Sequence, residues 1–119
     1  MKCFVVEFGI GMDFHGQDVN KAAQKAVRDA VSKSCLCGLV ELCELKNMDE
    51  QVEIRVTVAA SDPSAVVAED IAAILPIGKV VVNAVKGGLT VPGIKLEQLG
   101  DKDETIEAVL VALEVMVKQ

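Results

Sequence analysis

The chain reads as an α+β protein: a two-layer sandwich, with a mixed sheet of four to five strands and three helices mainly on one face. Three observations predict this. Val52, Ile54, Val56 and Val58 alternate with Glu53, Arg55 and Thr57, the period of a strand with one face on a core. Val19, Ala22, Ala23, Ala26, Val27, Ala30 and Val31 recur at i, i+3 and i+4, which is one apolar helical stripe. The elements also run strand, helix, strand, strand, helix, strand, short strand, helix. Paired strands separated by helices suit a mixed sheet with helices on one side, whereas a doubly wound sheet needs stricter alternation. The 119 residues fit a single domain, 1–119, and no linker, repeat or low-complexity segment divides them.

Taken in order, residues 3–8 form the first strand, with Phe4, Val6 and Phe8 on one face and Cys3, Val5 and Glu7 on the other. A glycine-rich turn follows. The first helix runs from Asp18, its N-cap, to about Cys35, and Gly38 marks the turn beyond it. Residues 39–46 read as a second strand, joined through Asn47-Met48-Asp49-Glu50 to a third over 52–60 in an antiparallel hairpin. Asp62 and Pro63 open a second helix, which carries Val66, Val67, Ile71, Ile74 and Leu75 and ends near Pro76–Gly78. Residues 79–86 are a Val-rich strand, and Gly87-Gly88 turns the chain into a short edge strand over 89–91. Asp101 and Glu104 resemble a capping box for a last helix over 102–117. That helix is apolar nearly all round, which predicts a subunit interface. With helices on one face, the other sheet face carries Cys3, Val5 and parts of Val80–Val85 and also asks for a partner. Both features predict a homo-oligomer.

Composition excludes several classes. The net charge of −6, with no Lys/Arg run, argues against nonspecific binding to nucleic acid or to an anionic membrane. Three Phe are the only aromatic residues, so the core is built from Val, Ile, Leu and Ala. The apolar run at the N-terminus is too short for a targeting or spanning segment, and the expected location is the cytoplasm. Cys3, Cys35, Cys37 and Cys43 are then reduced. Cys35-Leu36-Cys37 lacks the C-x-x-C spacing of zinc ribbons. A metal reading pairs Cys35, Cys37 or Cys43 with His15; the simpler reading makes the cysteines small core hydrophobes.

The candidate site is Gly9-Ile10-Gly11-Met12-Asp13-Phe14-His15-Gly16. A glycine turn from strand into helix presents backbone N–H groups at the positive end of a helix dipole, where an anion binds. A dinucleotide fingerprint needs a third glycine where Phe14 stands, and no P-loop Gly-Lys-Ser/Thr is present, so both nucleotide readings are rejected. Asp13-x-His15 works in one of two ways. Asp13 orients His15 as an acid/base, or both ligate a divalent metal with a third ligand such as Glu7. A third reading is structural, with Asp13 and Asp18 capping the turn and the helix. Gly9, Gly11 and Gly16 imply left-handed backbone or the close approach of a ligand. Asn83, polar among valines, and Lys86, before Gly87-Gly88, are further ligand-binding candidates. No serine nucleophile elbow is present. The expected partners are other copies of the chain and a small polar or anionic ligand, and the sequence names neither a cofactor nor a resident metal.

Gly9-x-Gly11-x-Asp13-x-His15-Gly16 resembles the signature of a family of small conserved hypothetical proteins, found in bacteria and, with a long N-terminal extension, in plants. Every specified position of the motif is matched, and the resemblance covers essentially the full length. It implies that Gly9, Gly11, Asp13, His15 and Gly16 are signature residues, and it carries no activity. The architecture is also similar to the repeat units of ring-opening amidohydrolases of the cyanuric acid hydrolase and barbiturase type. This chain shows no serine–lysine pair for that chemistry.

Overall fold

A computed structural model of the chain describes residues 1–15, 17–101 and 103–118. Among them are five strands: β1 (Lys2–Asp13), β2 (Val52–Ala60), β3 (Lys79–Lys86), β4 (Leu89–Pro92) and β5 (Thr105–Val117). The sheet order is β1-β5-β2-β3, and β4 pairs with the N-terminal part of β5. Only β2 and β3 run parallel; β5 is antiparallel to β1, β2 and β4. The helices are α1 (Val19–Val31), α2 (Gly38–Glu41), α3 (Met48–Gln51) and α4 (Ala68–Ala72). The α+β class and the mixed sheet hold. No helix among the described residues is long and apolar enough to cross a membrane.

Two predicted elements change type. Where the last helix was expected over 102–117, the described residues form instead the central strand β5 over Thr105–Val117. Val109, Val111, Leu113, Val115 and Val117 alternate on its buried face. Both of its edges are paired, and its other face brings Ala108, Leu110 and Ala112 to the open side of the sheet, so it carries apolar residues on both faces without being a helix. The apolar roundness that predicted a subunit interface is therefore the mark of a central strand. Residues 39–46 are not a strand either. They contain α2 and a turn in which Leu39 is fully buried while Val40 and Leu42 are exposed. The predicted hairpin is absent, and β2 pairs with β5 and β3 instead.

The second predicted helix is split. Asp62 caps a 3-10 turn at Pro63–Ala65 by accepting from Ser64 N–H at 3.2 Å, and α4 begins only at Ala68. Asn20 of α1 holds this segment, since its Oδ1 accepts from Val67 N–H at 2.8 Å and its Nδ2 donates to Asp70 at 2.9 Å.

The core lies between the sheet and α1, α2 and α4. On α1 the buried stripe is Val19, Ala22, Ala23, Ala26, Val27 and Ala30. Its alanines admit close approach to β1, where Gly9 and Gly11 face them. The outer edge of β1 is also closed by α1. Lys25 Nζ donates to Met12 O at 3.0 Å, Ile10 N–H donates to Asp29 at 2.9 Å, and Lys33 Nζ donates to Phe8 O at 3.1 Å. Four residues of helix rise about 6 Å and two of strand about 7 Å, so side chains four apart on α1 meet alternate groups of β1. Such an edge does not add another strand.

The opposite sheet face is bare. A register shift between Cys3 and Val5 turns Phe4 and Val5 onto the core and leaves Val6, Phe8, Ile10 and Met12 exposed. This corrects the expectation for Val5, which packs on the core, whereas Cys3, opposite Met116, is exposed as expected of the open face. Cross-strand partners continue the patch: Phe8 opposes Ala112, Ile10 opposes Leu110, and Met12 opposes Ala108. A shallow cavity of about 220 Å³ between Ile10, Leu89, Ala108 and Leu110 belongs to the same apolar end. The other end is polar, with Glu114 opposite Arg55 and Arg55 on Glu53 at 2.6 Å.

Candidate functional site

The motif is not a glycine turn. Gly9, Gly11 and Asp13 lie inside β1 and point inward. Among the described residues, left-handed backbone is found elsewhere, including Gln17 with φ of 48°. The requirement at Gly9 and Gly11 is space. A Cβ on Gly9 would strike the Ala26 carbonyl oxygen and stand 2.6 Å from the Ala30 nitrogen. A Cβ on Gly11 would strike the Ala22 carbonyl oxygen and the Ala26 nitrogen. The two glycines let the backbone of α1 lie against β1. Their close neighbour is a helix, where the sequence had suggested a ligand. Gly16 lies outside the described residues.

Asp13 ends β1 on the buried side. Its Oδ2 accepts from Asp18 N–H at 2.7 Å, and Lys25 Nζ is 3.7 Å from Oδ1. Asp18 in turn caps α1 by accepting from Lys21 N–H at 3.1 Å. The N-terminus of α1, read as an anion site, therefore already carries two carboxylates. Asp13 ties strand to helix and is not the group that orients His15.

That group is Asp101. Nδ1 of His15 lies 3.0 Å from Oδ1 and 2.9 Å from Oδ2 of Asp101. The Asp101 side chain is fully buried, and its Oδ2 also accepts from Leu96 N–H at 2.6 Å. An ionised carboxylate only accepts, so beside ionised Asp101 it is Nδ1 that carries a proton, and a neutral ring then presents Nε2 as an acceptor. The His15 side chain is 39% exposed. The geometry is that of an imidazole held in one tautomer by a buried acid.

Gln17 completes the junction. Its left-handed backbone turns the chain into α1, and its buried side chain donates from Nε2 to Thr105 O at 2.9 Å. Neither Asp101 nor Gln17 was a sequence candidate. Asp101 carried the signal of a helix cap, and Gln17 carried none, because glutamine is not a residue favoured at positive φ.

The remaining candidates lie apart. Asn83 and Lys86 are on β3, at the far edge of the sheet from β1. Asn83 is exposed opposite Thr57, so its amide needs no internal partner. Glu7 is six positions before Asp13 on the same face of β1, about 20 Å away. Among the described residues no three His, Cys, Asp or Glu side chains gather as a cation would require. Cys3, Cys35 and Cys37 are exposed and are not the core hydrophobes expected, whereas half-buried Cys43 packs against the core.

Comparison with known proteins agrees with the fold. The chain matches a family of conserved hypothetical proteins over residues 3–115. It belongs to that family, Lin0512_fam. It is also similar to the crystal structure of an FtsZ-like protein of unknown function from Nostoc punctiforme PCC 73102. The identity is 31%, over 99% of this chain and 97% of that one, with a TM-score of 0.83. No curated protein matches the chain. Membership thus carries the architecture and leaves the activity to be argued from the site.

Proposed function

We propose that this family member is a homo-oligomer that binds a small polar metabolite through the imidazole of His15, at the rim of a contact between open sheet faces. One continuity carries the reading. The exposed row Val6, Phe8, Ile10 and Met12 leads along the chain into exposed Phe14 and then His15. Exposed apolar patches of this extent usually mark an interaction surface. Closure of the β1 edge by α1 favours contact through the face over contact through that edge. A tautomer held by a buried carboxylate suits a ligand donor at Nε2, and the same nitrogen is the group that would take a proton in a hydrolytic step. The acidic surroundings, with Asp13 and Asp18 at the helix start, favour a polar ligand over an anionic one. The FtsZ-like description of the similar structure brings no nucleotide reading here, because Gly9 and Gly11 are filled by α1 and cannot cradle phosphate.

A second reading is favoured by the packing itself. Gly9, Gly11 and Asp13 are fully occupied by helix–strand docking, so the motif can be structural, with His15 and Asp101 stitching the loop over residues 93–101 to the end of β1. Native mass spectrometry of the wild type and of His15→Ala separates the two. A copurified small molecule lost in the variant, with subunit number unchanged, supports the binding site. A ligand-free protein whose assembly or loop order changes in the variant supports the structural role.

A further inference from the structure

A cavity of about 340 Å³ lies beside the C-terminal end of α1. Its Glu7 lies six positions along β1 from Asp13, roughly 20 Å of strand, and His15 lies beyond that far end. Val31, Leu36, Ile54, Ile74, Leu75 and Ile77 supply most of its wall, with Ser34 and Glu7 as the polar members. Glu7 is 7% exposed, and its Oε2 is buried with no hydrogen-bond partner. A carboxylate in such a place is costly unless a donor meets it, and folded proteins rarely keep one without a reason.

We propose that this cavity is a binding site for a small aliphatic ammonium compound, its charged nitrogen on the Glu7 carboxylate and its hydrocarbon along the isoleucines. Three features select that chemistry. The orphan atom is an acceptor, so the ligand must donate. Val31 is the last residue of α1, where the helix dipole presents its negative end and favours a cation. Apart from Ser34 the rest of the wall is apolar, which suits an alkyl chain and offers a metal ion no further carboxylate, thiolate or imidazole. Glu7 reaches the ligand by turning its carboxyl about the soft terminal torsion of the side chain. This site is independent of His15.

The test is an amide NMR titration of the full chain with n-pentylammonium, using 1-pentanol and pentanoate as neutral and anionic controls. The expected result is saturable movement of the Val31, Ser34, Ile74 and Ile77 amides with pentylammonium, at an affinity roughly tenfold or more above either control. Glu7→Gln, which keeps the shape, lowers the pentylammonium affinity to that of pentanol and leaves pentanol unchanged. Ile74→Trp, which fills the cavity, abolishes all binding and serves if Glu7→Gln perturbs the fold. Equal affinity for the three probes, an unchanged affinity in Glu7→Gln, or no saturable movement at these amides overturns the proposal.

Discussion

His15 and Asp101, 86 positions apart in sequence, are joined by a hydrogen bond from Nδ1 to a carboxylate that is fully buried. The pair closes the loop before β5 onto the end of β1. Its two members contribute differently to stability. Asp101 also accepts from Leu96 N–H, so Asp101→Ala strands a buried donor and costs about 2 kcal/mol in urea unfolding. His15→Ala removes a part-exposed ring and costs less than about 1 kcal/mol. A reversal of that order contradicts the arrangement. The ¹⁵N spectrum of His15 reports the protonated Nδ1 tautomer in the wild type, and Asp101→Ala releases it.

The helix–strand contact gives a sharper stability prediction. Gly9→Ala drives a methyl into the backbone of α1 at Ala26 and Ala30. Neither backbone group can move without shifting the helix, so the change costs about 3 kcal/mol, or roughly 10 °C in Tm. Gly100→Ala is the control, since nothing lies within 4 Å of a Cβ there. Its φ of 81° makes it strained in its own right, but only by about 1 kcal/mol. Equal losses at the two positions count against close packing as the role of Gly9.

Asp29 predicts a pH dependence. Its carboxyl is held below the ordinary 3.8 first by the backbone N–H of Ile10 and then by Lys33. A depressed folded value means that the native state binds the proton more weakly than the unfolded chain. The stabilisation is present above the ordinary value and is lost as pH falls through the lower, folded one. The Asp29 carboxyl carbon should titrate with a midpoint below 3.8, and Asp29→Asn should remove that share of the acid-induced loss. A midpoint at or above the ordinary value means that the β1 edge is not closed in solution.

The fold class was legible because α1 and β2 have unmixed periods. Val19 to Val31 keep a helical stripe and Val52 to Val58 keep alternation. β5 was misread because a central strand is apolar on both faces, and Ile106, Val109, Leu110, Leu113 and Val117 then fit a helical stripe by coincidence. Its β-branched valines were the better signal. The short apolar run over 39–42 fits helix or strand equally, and only the burial of Leu39 alone decides it. At the site, the glycines announced a close approach, yet nothing local distinguishes a ligand from a helix as the neighbour. The partner of His15 was hidden for a different reason. Asp101 sits in a loop whose position depends on β5 being a strand, so mistaking that element concealed the pair.

The most direct measurement of the account is the solution mass of the wild type and of Ile10→Glu by sedimentation equilibrium. Ile10 stands in the centre of the exposed row, opposite Leu110, and its side chain faces away from the core, so a carboxylate there spares the fold. The expected result is an oligomeric wild type and a folded, monomeric variant that has also lost any ligand held at His15. A monomeric wild type, or an oligomer untouched by Ile10→Glu, would contradict it.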